Sequence, residues 1–220
     1  MACTRVRGGG GARRPVSEAA FVCALWIVLG CRTAAAPGLS AELRAWPEGP
    51  VRWLLLPEDR RAWARVRSDA EARALIEWFW ARREGAAGPG ESSFRELFEA
   101  RVEAADHLYG EGEVRGSLTD RGRALILLGA PSYIQLTHRP ALAWDPKSVD
   151  RRMVSREIRV EVWGYAPENL LPWVRQAILG AREGLPPEIS FVAEPPPSHL
   201  EKGEDLLELA ARALAGMARD

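Results

Sequence analysis

The chain has 220 residues, room for one domain of the usual size and some appended segments. Lys plus Arg and Asp plus Glu each number 30, so the formal charge is zero and no global positive potential exists to recruit a polyanion. That excludes nucleic acid as a first expectation, and Lys147 and Lys202 are the only lysines in an otherwise all-arginine set of cations.

The N-terminus carries Arg5, Arg7, Arg13 and Arg14, then an apolar run from Ala19 to Gly30, then Cys31. A basic segment followed by an apolar run too short for the roughly 20 residues of a membrane-spanning helix reads as an export signal. Val28-Leu29-Gly30-Cys31 resembles the lipobox of bacterial lipoproteins, with Val28 and Leu29 departing from the usual Leu and small residue. The resemblance implies cleavage before Cys31 and a lipid on that residue, so that the membrane is reached through Cys31. Cys3 and Cys23 would leave with the signal, and no thiol would remain for a disulfide or a Cys nucleophile. Arg32 is not the Asp that holds many lipoproteins in the inner membrane, which implies an outer-membrane anchor facing the periplasm.

Residues 31–50 read as a tether, rich in Ala with Pro and Gly, and residues 51–195 as the folded domain. Pro57-Glu58-Asp59 opens a short helix within Leu54 to Val66. Ser68 and Glu71 have capping-box spacing, and Ala72, Leu75, Ile76, Phe79 and Trp80 form an apolar stripe behind them. Gly85 to Gly90 breaks that helix. Ser93 and Glu96 repeat the spacing, followed by Phe94, Leu97, Phe98, Val102, Ala105 and Leu108 on one face, to an end near Tyr109-Gly110.

Ala124 to Leu128, Ile158 to Tyr165 and Ile189 to Val192 read as strands. Pro131 to Ser155 reads as a polar surface loop in which Trp144 is a candidate contact residue. Within residues 196–220, Leu206, Leu209, Ala210, Ala213, Leu214 and Met217 mark an amphipathic terminal helix. Helices first and strands afterward predict an α+β fold, its N-terminal helices packed on a small, mostly antiparallel sheet.

The stretch Thr119-Asp120-Arg121-Gly122-Arg123 has the residues of a turn, Thr and Asp to bond backbone amides and Gly to take a positive φ. If a strand begins at Arg121, Arg121 and Arg123 share a face and could grip a carboxylate or phosphate; the alternative is a structural staple. This segment resembles the bacterial GWxTD domain family, whose motif continues as Arg-Gly-Arg and ends in Gly-x-Pro, here Gly129-Ala130-Pro131. Phe79-Trp80-Ala81-Arg82-Arg83 is similar to the family's Phe-Trp-x-x-Arg, Phe94-Arg95 and Arg101-Val102 with Ala105 match its following helix, and Glu161-Val162-Trp163-Gly164-Tyr165 is similar to its Glu-x-Trp-x-Tyr. Ser117 stands where the motif has Trp. The resemblance implies an exported envelope protein and no particular reaction.

His107, His138 and His199 have no second ligand at a metal-motif spacing, and neither a nucleophile elbow nor a phosphate loop occurs. No metal or cofactor is expected. Two readings stand: a lipid-anchored binding or assembly module with an envelope protein partner, or a hydrolase or transferase holding an anionic substrate at Arg121 and Arg123.

Overall fold

Capping chemistry opens the two longest N-terminal helices. In the computed structural model, which describes residues 38–84, 93–144, 152–181, 184, 186–194 and 197–216, Ser68 Oγ accepts the Glu71 N–H at 3.3 Å and starts Asp69–Ala81. The Glu71 carboxylate bonds the Arg67 amide at 2.8 Å, one residue earlier than a reciprocal box would place it. At Ser93 the box is complete, with Ser93 Oγ on the Glu96 N–H and Glu96 Oε2 on the Ser93 N–H, and Phe94–Leu108 follows.

Seven helices and four strands occur among the described residues: α1 Ala41–Ala45, α2 Pro57–Trp63, α3 Asp69–Ala81, α4 Phe94–Leu108, α5 Asp120–Leu128, β1 Tyr133–Trp144, β2 Met153–Gly164, α6 Pro172–Ala181, β3 Glu188–Glu194, β4 His199–Lys202 and α7 Glu204–Gly216. The strands form one antiparallel sheet in the order β1-β2-β3-β4. The fold is α+β, with helices on one sheet face.

Three expectations need correction. Ala124 to Leu128, read as a strand, is the body of helix α5, and every residue from Ala124 to Leu128 is buried. An apolar run buried on all sides carries no helical period, so periodicity cannot separate it from a core strand. Pro131 to Ser155, read as a loop, contains β1 and the start of β2; its polar content reflects an edge strand with little burial. The tether reading runs to Pro50, yet α1 begins at Ala41, and Trp46 lies tilted against Trp63 and edge to face with Phe79, with ring centroids 4.9 and 5.3 Å away. Cys31 and the export signal lie outside the described residues, as do the break at Gly85 to Gly90 and Met217.

The aromatic stripe of α3 enters the core through Phe79 and Trp80, which meet edge to face at 5.1 Å, and Trp80 continues to Phe98 of α4 at 5.2 Å. Beneath α3 lies a buried ion pair. Arg83 is 0% exposed and Asp59 4%; Arg83 donates to Asp59 Oδ2 at 3.1 Å, to Leu54 O at 3.2 Å and to Phe79 O at 2.8 Å. Arg82 holds the other oxygen of Asp59. Burial pulls the Arg83 guanidinium down to about 10, against the Asp59 charge, so it stays protonated at neutral pH and ties α2 to the end of α3.

On the sheet, Trp163 is 0% exposed and contacts Phe191 at 4.9 Å and Tyr109, the C-cap of α4, at 5.3 Å. The hairpin of β1 and β2 is paired along the whole of β1, but β3 pairs only with Arg159 to Gly164. Residues 139–144 and 153–158 therefore project past β3 as a two-stranded arm.

Candidate functional site

The corner that carries the resemblance is the N-terminus of α5, preceded by a 3-10 turn at Gly116–Leu118. Thr119 is the N-cap in extended backbone, φ −84° and ψ 164°, as a capping residue requires. Its Oγ1 accepts the Gly122 N–H at 3.1 Å and donates to Gly116 O at 2.7 Å, locking the turn onto the helix. Asp120, in the first turn where the helix dipole favours an acid, accepts the Leu200 N–H at 2.7 Å and so holds β4.

Gly122 is needed for space. It lies inside the helix without a positive φ, contrary to the turn expectation, and a Cβ on it would fall 1.8 Å from Gly116 O. Gly116 is equally confined, its own virtual Cβ 1.9 Å from Ala105 O of α4. The two glycines let α5, the 3-10 turn and α4 approach backbone to backbone.

Helical geometry separates the two arginines. Residues two apart in a helix are rotated by about 200°, so Arg121 and Arg123 do not share a face as a strand would make them. Arg121 Nη2 meets Glu111 at 2.8 Å and its Nη1 meets Glu161 of β2 at 3.4 Å, with the guanidinium 5.5 Å from the Tyr109 ring centre. Arg123 forks onto Glu204 of α7 at 2.8 and 2.7 Å and lies 5.2 Å from the Trp53 ring centre.

Around Arg121 the bonding continues inward. Ser198 donates its N–H to Glu111 Oε2 at 3.0 Å and its hydroxyl to Oε1. Burial alone would raise the Glu111 carboxyl, but the Ser198 bonds and Arg121 outweigh it and hold it below the usual range. Glu161 Oε2 accepts the Trp163 indole N–H at 3.3 Å, and Arg159 lies 3.8 Å from Oε1. Burial pushes the Tyr109 hydroxyl up, against the pull of Arg121.

Segments of the resemblance far apart in the chain thus meet here: Arg121 from Thr-Asp-Arg-Gly-Arg joins Glu161 from Glu-x-Trp-x-Tyr. Arg101, at the Arg-Val match in α4, donates to Ile126 O at 2.9 Å near the end of α5, and burial lowers it to about 10. Tyr165 is buried nearby and its hydroxyl is pushed far up by burial, against the charge of Arg101. Gly129 closes α5 at φ 88°, its virtual Cβ 2.9 Å from Arg101 Nη2.

Ser117, at the motif Trp position, is 0% exposed, and its N–H donates to Asp106 Oδ1 at 2.8 Å. Burial would raise the Asp106 carboxyl, but bonds from Ser117 and from Arg115 hold it below the usual range. Trp53, from outside the motif, donates its indole N–H to Ser117 O at 2.8 Å, so an aromatic from another segment lies against this corner.

His107, His138 and His199 are exposed on three different elements. No group of three His, Cys, Asp or Glu able to hold a metal occurs among the described residues. Trp144 is the last residue of β1, opposite Met153 in the register, and not in a loop.

Two surfaces have no counterpart in the sequence reading. An open groove of about 780 Å³ has Trp46, Ile76, Trp80, Phe98, Val102 and Arg115 in its lining. On β1, Ile134, Leu136 and Leu142 are 49, 57 and 72% exposed, and Met153 opposite the strand's end is 43% exposed. The alternation of Ile134 and Leu136 with Gln135 and Thr137 is the strand signal in this segment, and His138-Arg139-Pro140 interrupts it. Compared with protein-family models, curated proteins and solved structures, the chain matches none.

Proposed function

We propose that this protein is a lipid-anchored cell-envelope protein with a GWxTD-like domain, facing the periplasm and acting as a binding or assembly module. The observation that carries the reading is the contrast between the motif corner and the sheet edge. At the corner, Thr119, Asp120, Arg121 and Arg123 each bond to another part of the same domain. At the edge, a row of large apolar side chains faces water along β1, the kind of surface that marks an interaction site. The rival enzyme reading needs Arg121 and Arg123 to converge on one anion, and helix α5 sends them to opposite partners.

The anchor rests on the resemblance of Val28-Leu29-Gly30-Cys31 to a lipobox. Replacing Cys31→Ala is expected to give unprocessed or soluble protein; normal processing and membrane retention would sink the lipid anchor. The module is tested by capturing the tagged full chain from detergent-solubilised envelopes beside Leu136→Arg and Arg121→Ala/Arg123→Ala. Loss of a reproducible protein partner in Leu136→Arg alone supports the reading. A small anion that co-purifies, and is lost only from a folded double-arginine variant, supports the enzyme instead.

A further inference from the structure

The exposed edge of β1 has a pattern of its own. Trp163 and Glu161, whose side chains lie on the helix-packed sheet face, sit opposite Ile134 and Leu136 in the β1–β2 register. Side chains alternate along a strand, so Ile134, Leu136, His138, Pro140 and Leu142 share that face. The order is apolar, apolar, His, apolar, apolar, and it reads the same from either end about His138. Gln135, Thr137, Arg139 and Ala141 occupy the opposite face.

A strand whose polarity is symmetric about its middle is complementary to a second copy of itself running antiparallel. A twofold axis requires that self-complementarity, since each residue i that meets j must also be met by it. We infer that β1 pairs with β1 of a second copy of this chain, antiparallel and centred on His138, to make a continuous eight-stranded sheet. This rests on the reading of the β1 edge as the docking surface and names its occupant.

The symmetry of the pattern sets the register, and charge disfavours a shift of it toward Arg139. With His138 on the axis, Ile134 faces Leu142 of the second copy, Leu136 faces Pro140, and Arg139 faces Thr137. A shift of the axis to Arg139 would set two guanidiniums directly opposite one another, which destabilises a cross-strand pair. The pairing also gives the projecting arm a neighbour. Residues 139–144 extend past β3 of their own sheet, and in the dimer they run beside residues 132–137 of the second copy, where β3 backs the partner's β2. Leu142, 72% exposed in the single chain, is then covered.

Pro140 limits the strength of this contact. Proline is confined to sheet edges because it lacks an N–H, and here it removes one donor from each strand. A strand edge is also small beside the roughly 800 Å² per partner of a standard interface. The association is therefore concentration dependent.

The test is sedimentation velocity of the full chain in detergent, from nanomolar to submillimolar, with three variants. The parent is expected to shift from monomer to dimer across that range. His138→Lys puts two cations on the axis and Leu136→Arg breaks two apolar pairs; each is expected to weaken dimerisation at least about tenfold, with an unchanged melting temperature because both positions are exposed. His138→Cys is expected to form an oxidation-dependent crosslinked dimer, beyond any formed by the parent's own cysteines or by an exposed Glu208→Cys control on α7. A parent that stays monomeric throughout, or a dimer indifferent to both edge substitutions, overturns the inference. A monomer that still captures an envelope protein through Leu136 overturns it too, while leaving the binding-module reading intact.

Discussion

Arg121 of α5 and Glu161 of β2, forty residues apart in sequence, are joined with Nη1 3.4 Å from Oε1, and the same guanidinium reaches Glu111 at 2.8 Å. One cation thus links the helix layer, the turn after α4 and the sheet, and Glu161 is only 8% exposed. Removing it takes the nearest cation from two largely buried carboxylates, leaving Glu161 the Trp163 N–H and the more distant Arg159, and Glu111 the bonds from Ser198. Arg121→Ala is expected to destabilise the fold by about 2–3 kcal/mol, the scale of a charged hydrogen-bonded partner lost from a buried site. Arg123→Ala is expected to cost about 0.5–1 kcal/mol, because the Glu204 side chain it pairs with is 55% exposed. Urea unfolding of both single variants measures the ratio, and equal losses would contradict this division of labour.

Gly122→Ala tests the close approach at the corner. In an exposed helix interior that substitution stabilises by about 1 kcal/mol. Here the added Cβ falls 1.8 Å from Gly116 O, and backbone cannot rotate away as a side chain can. A loss of about 3 kcal/mol is expected, as for overpacking of a tight core. A variant as stable as the parent would remove the packing role of this glycine.

These two positions also show which parts of the corner are legible in the sequence. Thr119 and Asp120 are marked by their side-chain chemistry, which suits a turn and a helix N-cap equally well. The apolar run after them is buried on every side, so its period gives no help, and the choice between strand and helix decides where Arg121 and Arg123 point. Helices α3 and α4 are legible because each combines a Ser cap with a one-sided stripe. Strand β1 is not, since an edge strand with His138, Arg139 and Pro140 near its middle has the composition of a loop. The pairing of Arg121 with Glu161 depends on tertiary contact alone, and only the shared family resemblance of their two motifs hints at it.

Acid should loosen the corner first. The Glu111 and Asp106 carboxyls are both held below their ordinary values of 4.5 and 3.8. For a carboxylate depressed in the folded state, the stabilisation is present above the unfolded value and lost as pH falls through the folded one. Stability is thus expected to hold down to about pH 4.5 and to decline below it. In Arg121→Ala the Glu111 contribution to that decline should shrink, because one of the groups that depresses its pKa is gone. Urea midpoints measured between neutral pH and pH 3 check this, and a variant with the parent's full acid slope would refute it.

The pair Asp59 and Arg83 separates fold maintenance from function most cleanly, because Arg83 ends the Phe79-Trp80-Ala81-Arg82-Arg83 segment of the resemblance, yet both residues are nearly inaccessible to any ligand. Asp59→Ala leaves the buried Arg83 guanidinium without its carboxylate, and takes the same partner from Arg82. Breaking such a pair from one side typically costs about 3–5 kcal/mol, whereas replacing both members by apolar residues of similar size is often neutral. Asp59→Leu/Arg83→Met should therefore recover much of what Asp59→Ala loses, although Arg82 and the carbonyls of Leu54 and Phe79 will have lost a partner. A double-mutant cycle by thermal unfolding gives the coupling directly. A large positive coupling with partner capture through β1 unchanged would assign this segment to holding α2 on α3, and a coupling near zero would mean the two residues act on the fold independently.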